Sequence, residues 1–261
     1  MTERPLLLIT NDDGVHSPGL LAAAEAVADL GELLIVAPAT QQTSMGRAFA
    51  SGPGVGAIER VVPQIGGRGI DCYAVTGSPA LAVTHAMLEL TDRQPSLCIS
   101  GMNYGENIGG DLGISGTIGA AMQATAYGIP GLAVSVQVDV SEWHSKAQLD
   151  WTAAKHFTRR LTIRLLEDGM PDGVSVMNLN IPRNAKTTTE LRITSQSRVS
   201  RYLHMQPVDR VLSEPVRLKI KVNPDNEGLE PDSDILAVIC DEVVSVTPLT
   251  SSMSAATTWR P

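Results

Sequence analysis

Residues 6–30 read LLLITNDDGVHSPGLLAAAEAVADL, and this stretch decides the fold. Residues 6–10 form a short, nearly continuous apolar run, as expected of a strand buried on both faces rather than one. Ser17 followed by Pro18 is an N-cap with proline at the first helical position, and 18–30 continues with helical spacing and much alanine. The strand–loop–helix unit repeats outward. Residues 33–37 read as a second buried strand, Ser78 and Pro79 open a helix running to about 90, and 97–100 is a strand. A helix over 117–127 and a strand over 131–135 complete the series. This alternation predicts an α/β fold built on a doubly wound, mostly parallel sheet.

Two regions depart from the pattern. Residues 38–75 are rich in Gly and Pro, with only short strand-like pieces such as 57–62, and read as a flap or hairpin excursion. Beyond 138 a helix is expected over 145–167, followed by strand-like runs at 175–180, 191–194, 216–222 and 235–239. We therefore divide the chain into a catalytic part, 1–138, and a smaller β-rich region, 139–261, which either extends the sheet or projects an oligomerisation arm. The tail, 251–261, is expected to be loosely ordered.

Composition narrows the function. The net charge is -8 and no basic run occurs, so a nucleic-acid polymer is not an expected partner. Aromatic residues are 3% of the chain, too few for a series of base-stacking platforms. Three cysteines without CxxC spacing fit free thiols in a reducing cytoplasm. No run approaches the roughly 18 apolar residues of a membrane span. The histidines (His16, His85, His144, His156 and His204) show no HxH or HExxH spacing, which disfavours zinc.

Ligands of open α/β sheets bind beyond the carboxyl ends of the strands, so the loops there carry the chemistry. The first is Asn11-Asp12-Asp13-Gly14. Two adjacent carboxylates can hold a hard cation, and Asn11 can orient them or contact phosphate; a helix cap or a plain turn is the competing reading. The second, residues 100–121, contains seven glycines and ends in Ser115-Gly116-Thr117 at a helix start. Hydroxyls and free N–H groups at a helix N-terminus form a phosphate seat, although an ordinary N-cap has the same residues. The third, residues 38–46, offers neutral oxygens on the same rim. GK[ST] and GxSxG are both absent.

Three blocks together, LLLITNDDGVHSPG (6–19), SGMNYGENIGGDLGISGTIGAAM (100–122) and GIPGLAVS (128–135), resemble the SurE family of 5′/3′-nucleotidases. MNLNIP (177–182) and SDILAVICDEVVSVTPL (233–249) are weaker echoes. The resemblance implies a Rossmann-like domain and a C-terminal segment exchanged in a homodimer or homotetramer. It implies a phosphomonoesterase acting on nucleoside 5′- and 3′-monophosphates, with one Mg²⁺ or Mn²⁺ per subunit held by Asp12, Asp13, Thr43 and Asn103. Asp12, Asp13 and Asn103 are then the catalytic residues, and Asn11, Ser115, Gly116 and Thr117 bind phosphate, with attack by a water that the cation activates. The family's PDRNxSG loop reads PATQQTS here, so Thr43 or Ser44 supplies the hydroxyl ligand, and its GTPTD segment reads GSPAL. Those changes leave two alternatives open: a nucleotide-binding module without activity, and a polyphosphatase or phosphatase of another small ester.

Overall fold

The computed structural model describes residues 4–143, 149–223 and 228–254. In chain order the elements are β1 (Leu6–Thr10), α1 (Pro18–Val27), β2 (Glu32–Pro38), β3 (Ile58–Val61), β4 (Gln64–Ile65), β5 (Arg68–Gly69), β6 (Cys72–Val75) and α2 (Pro79–His85). Then come β7 (Leu97–Tyr104), α3 (Gly116–Thr125), β8 (Gly131–Val136), α4 (Thr152–Asp168), β9 (Val176–Ile181), β10 (Leu191–Ile193), β11 (Tyr202–His204), β12 (Ile220–Val222) and β13 (Val244–Leu249).

Nine strands form one sheet in the order β10-β13-β9-β8-β7-β1-β2-β6-β3. The six from β9 to β6 are mutually parallel, while β13 and β3 run antiparallel to β9 and β6. All five residues of β1 are buried. Leu7 and Ile9 enter the core shared with α1 and α4, and Leu6 and Leu8 enter the opposite core with residues of α2 and α3. A sheet sandwiched between helices explains the unbroken apolar run. Both cores are filled mainly by Ala, Val, Leu and Ile, with Phe157 the one fully buried aromatic ring among the described residues. Small residues let backbones touch: a Cβ on Gly19 would lie 2.0 Å from the Met102 carbonyl oxygen, so α1 can begin directly against β7 only with glycine there.

The α/β alternation expected from the sequence is present, with shifted boundaries. The first helix ends at Val27. The helix after Ser78 becomes a wider turn at Ala86–Leu90. The strand at 97–100 runs on to Tyr104, and its register with β8 shifts between Ser100 and Asn103. Residues 38–75 contain the edge strand β3 and the small β4–β5 hairpin. Helix α4 starts at Thr152, whose N–H donates to Asp150 Oδ1 at 2.9 Å; residues 145–148 of the expected helix, and 255–261 of the tail, lie outside the described residues. The strand expected over 216–222 shrinks to β12.

One assignment is overturned. The run 235–239 is a helical turn, Leu236–Cys240, and not a strand. Ser233 Oγ accepts from Leu236 N at 3.3 Å and Asp234 Oδ1 from Ile235 N at 2.8 Å, so two side chains start the turn. A short apolar run has no period that separates helix from strand, and these caps decide it. The strand is the next apolar run, β13.

Asp234 also ties this turn to the glycine-rich loop. It is fully buried; Oδ2 accepts from Gly109 N at 2.9 Å and Oδ1 from Ser197 N at 3.0 Å. Asp234→Ala leaves three N–H groups unsatisfied, and we expect it to cost about 3 kcal/mol or more. Urea unfolding checks this, and a loss below about 1 kcal/mol would show that the clasp is dispensable.

Candidate active site

The strand order turns back at β1: the chain first builds β2 and β6 on one side, then crosses to β7 on the other. The crevice beyond the carboxyl ends of β1 and β7 is therefore a topological switch point, where open α/β sheets bind ligands. Asn11 shapes the turn there. Its Nδ2 donates to Gly14 O at 3.2 Å and its Oδ1 accepts from Gly14 N at 3.1 Å, with Gly14 at φ +98°. Both amide functions of Asn11 are thus engaged within the turn.

The two carboxylates of that turn make different contacts. Asp12 lines a cavity together with Thr43, Ser44, Asn103 and Ser115. Asp13 does not line it, but its Oδ2 accepts from Tyr104 N at 3.3 Å and its Oδ1 from Gln41 Nε2 at 2.8 Å, so it braces the end of β7 and the loop after β2. Asp12 Oδ1 accepts from Thr117 Oγ1 at 2.7 Å. Burial pushes the Asp12 carboxyl up to about 6, against the opposing pull of the Thr117 hydrogen bond. Asn103 Nδ2 donates to Gly105 O at 2.6 Å, which leaves its Oδ1 without a partner among the described residues.

The end of α3 faces Asp12. Ser115 is its N-cap and accepts from Ile118 N at 3.1 Å, retaining its hydroxyl proton as a donor. The N–H groups of Gly116 and Thr117 have no acceptor among the described residues. A Cβ on Gly116 would come 2.7 Å from Asp12 Cβ, so glycine is what lets the helix end approach the carboxylate. The Thr117 hydroxyl is committed to Asp12, and only its N–H remains for an anion.

The donors brought together are two carboxylates and neutral amide and hydroxyl oxygens. Among the described residues no cluster of three or more His, Cys, Asp or Glu side chains could hold a metal ion. The set has the chemistry for a hard divalent cation, and a cation would offset the burial of Asp12. Thr43 and Ser44 both line the cavity, with Ser44 at φ +63°.

Sequence reasoning missed the other wall. Glu106, Asp111, Trp143, Tyr202, His204 and Ile220 also line the cavity. Asp111 Oδ2 accepts from Arg201 N at 2.8 Å and Tyr202 N at 3.1 Å, fixing the β11–β12 arm to the glycine-rich loop. Glu106, a buried carboxylate within that loop, had a visible signal in its position; the arm residues lie about a hundred positions away and had none.

Comparison with known proteins agrees with this geometry. The profile of the family described as Survival protein SurE matches residues 7–202. A protein named 5′-nucleotidase SurE from Methanothermobacter thermautotrophicus is 45% identical over 192 residues, covering 72% of this chain and 71% of that protein. One of the same name from Thermococcus kodakarensis is 35% identical over 251 residues, covering 95% of this chain and 93% of that protein. The crystal structure of the SurE protein from Aquifex aeolicus superposes with a TM-score of 0.75 at 26% identity, over 96% of this chain and 95% of that one. With its mostly parallel sheet, its switch-point loops and a profile match over most of its length, the chain belongs to the SurE family.

Proposed function

We propose that this protein is a divalent-cation-dependent phosphomonoesterase that hydrolyses nucleoside 5′- and 3′-monophosphates to nucleoside and inorganic phosphate. The observation that carries the reading is one cavity lined by Asp12, Asn103, Thr43 and Ser44 together with Ser115 at the start of α3. The relatives named 5′-nucleotidase supply the substrate class.

Asp12, Asp13, Asn103 and one hydroxyl of Thr43 or Ser44 would hold the cation, Mg²⁺ or Mn²⁺. When bound, it supplies positive charge for a phosphoryl oxygen and acidifies a water molecule. The chain's own groups do the rest. The N–H groups of Gly116 and Thr117 and the Ser115 hydroxyl donate to the phosphate oxygens, where charge accumulates as water adds to phosphorus and the ester P–O bond breaks. The nucleoside oxygen leaves with a proton derived from that water. Thr117 and Gln41 hold Asp12 and Asp13 in place, and Asn11 closes their turn.

Phosphate release from a panel of 5′- and 3′-monophosphates, with Mg²⁺, with Mn²⁺ and with a chelator, tests the reading. Release that chelation abolishes is expected; release untouched by chelation, or none, would overturn it. A phosphorylated Asp12 or Asp13 trapped during turnover would replace direct attack by water.

We further propose that residues 1–138 are the catalytic part and that the arm in the remaining region joins subunits into a dimer or tetramer. Val208 is 83% exposed and Leu212 85%, with Val211, Val216 and Leu218 also exposed beside them. Such an apolar surface fits an interface. Leu212→Glu is expected to shift sedimentation towards monomer without lowering the monomer's stability. A wild-type protein that sediments as a monomer at every concentration would end this reading. No helix among the described residues is long and apolar enough to cross a membrane. Cys72, Cys98 and Cys240 are unpaired, which supports placing the enzyme in a reducing cytoplasm.

A further inference from the structure

The far wall of the cavity holds two buried polar atoms that the phosphatase reading does not use. Glu106 is 7% exposed. Its Oε1 accepts the Tyr202 hydroxyl at 2.6 Å, while Oε2 is buried with no hydrogen-bond partner among the described residues. Trp143 Nε1 is likewise buried and unpartnered. The two are parts of one construction. The Trp143 and Tyr202 rings meet edge to face, with centroids 4.8 Å apart and an interplanar angle of 82°. Trp143 Nε1 packs so tightly on the backbone beside Glu106 that a Cβ on Gly105 would lie 2.7 Å from it. Glu106, Trp143 and Tyr202 all line the cavity that also contains Asp12.

Buried polar groups are nearly always paired, and an unpaired acceptor and an unpaired donor among the residues lining one cavity call for a ligand that completes both. We propose that Glu106 and Trp143 form the nucleoside subsite: Glu106 Oε2 accepts a hydrogen bond from a hydroxyl or amino group of the nucleoside, and Trp143 Nε1–H donates to one of its oxygens or ring nitrogens. This deepens the phosphomonoesterase reading and rests on it for the position of the phosphate. The chemistry also selects. A nucleoside presents donors and acceptors together. An ionised phosphoanhydride chain presents acceptors only, so it leaves Glu106 unpaired and is repelled by its charge. Aryl phosphates such as p-nitrophenyl phosphate offer no donor either. A site built to pair with a ligand's N–H or O–H discriminates strongly against analogues that lack it.

Glu106→Gln is the sharp test. The amide oxygen can still accept from Tyr202, which places an N–H₂ donor where the free acceptor was. Trp143→Phe removes the other hydrogen bond and keeps a ring. Each variant is expected to lower kcat/KM for nucleoside monophosphates about 10- to 100-fold, mainly through KM, and to leave p-nitrophenyl phosphate within about threefold. Tripolyphosphate hydrolysis should hold or rise in Glu106→Gln. Equal losses on every ester, or no loss on nucleotides, would overturn the proposal.

A second measurement separates this subsite from the activity. Calorimetric titration of the cation-free protein with the four ribonucleosides should show binding by the wild type that weakens about tenfold or more in either variant. Nucleosides that bind a protein releasing no phosphate from any ester would keep the subsite and reject the phosphatase. No nucleoside binding by the wild type, or binding that neither variant changes, would reject the subsite.

Discussion

Asp12→Asn is expected to lower phosphate release by at least about 10³-fold while leaving the cation-free protein as stable as before, or more so. The activity falls because Asp12 is the carboxylate of the NDDG turn that lines the cavity, and an amide cannot supply its charge. Stability moves the other way because burial holds the Asp12 carboxyl at about 6 rather than its usual 3.8. A group whose pKa is raised on folding weakens the native state as pH climbs through the interval between those values. The cost is absent below about pH 4 and complete above about pH 6, where it is on the order of 2–3 kcal/mol. The thermal midpoint gained by Asp12→Asn should therefore appear above pH 6, shrink below it, and disappear when wild type is saturated with cation. Thermal unfolding across that range, beside the activity assay, checks both halves. A variant retaining more than a tenth of wild-type activity would move the chemistry away from Asp12.

The second large effect comes from a residue with no functional group. Gly119 lies in α3, where alanine is worth about 1 kcal/mol more than glycine on helix propensity alone. A Cβ there would nevertheless lie 2.0 Å from the Gly46 carbonyl oxygen and 2.7 Å from Arg47 N. Those are backbone atoms, so the loop must retreat, and it carries Thr43 and Ser44. Gly119→Ala is expected to cut activity at least about tenfold and to raise the cation concentration for half-maximal rate, with partial recovery at high cation. Gly113, whose Cβ would meet nothing within 4 Å, is the control: Gly113→Ala should behave as wild type. An unaffected cation dependence in Gly119→Ala would show that the 43–47 loop takes no part in holding the ion.

The contrast between these positions shows what the sequence made legible. Residues 6–10 announced a central strand because burial on both faces removes the polar alternation. Ser17, Ser78 and Ser115 announced helix starts because capping is local chemistry, and all three accept a backbone N–H in the structure. The loops at the switch crevice were readable for the same reason. The division of labour within the NDDG turn was not, since it depends on Tyr104 and Gln41, which approach Asp13 from the end of β7 and from the loop after β2. Leu236–Cys240 and β13 were confused because two apolar runs follow each other, and only the hydrogen bonds of Ser233 and Asp234 distinguish them. Tyr202 and Trp143 carry no local signature at all; they meet only because the arm brings Tyr202 back onto the glycine-rich loop and against the Trp143 ring.

The central strand pairing has a kinetic consequence. β1 is bonded to β7, which starts some ninety residues later, and the Asp12–Thr117 contact spans 105 positions. Chains dominated by such distant pairings fold slowly, because loop closure precedes any reward. The α1 segment can form within its own neighbourhood, but the cavity cannot exist until β1, β7 and α3 have met. During refolding from denaturant the helical signal should therefore return before enzymatic turnover. A nascent chain released before β7 has emerged would carry both aspartates and no site.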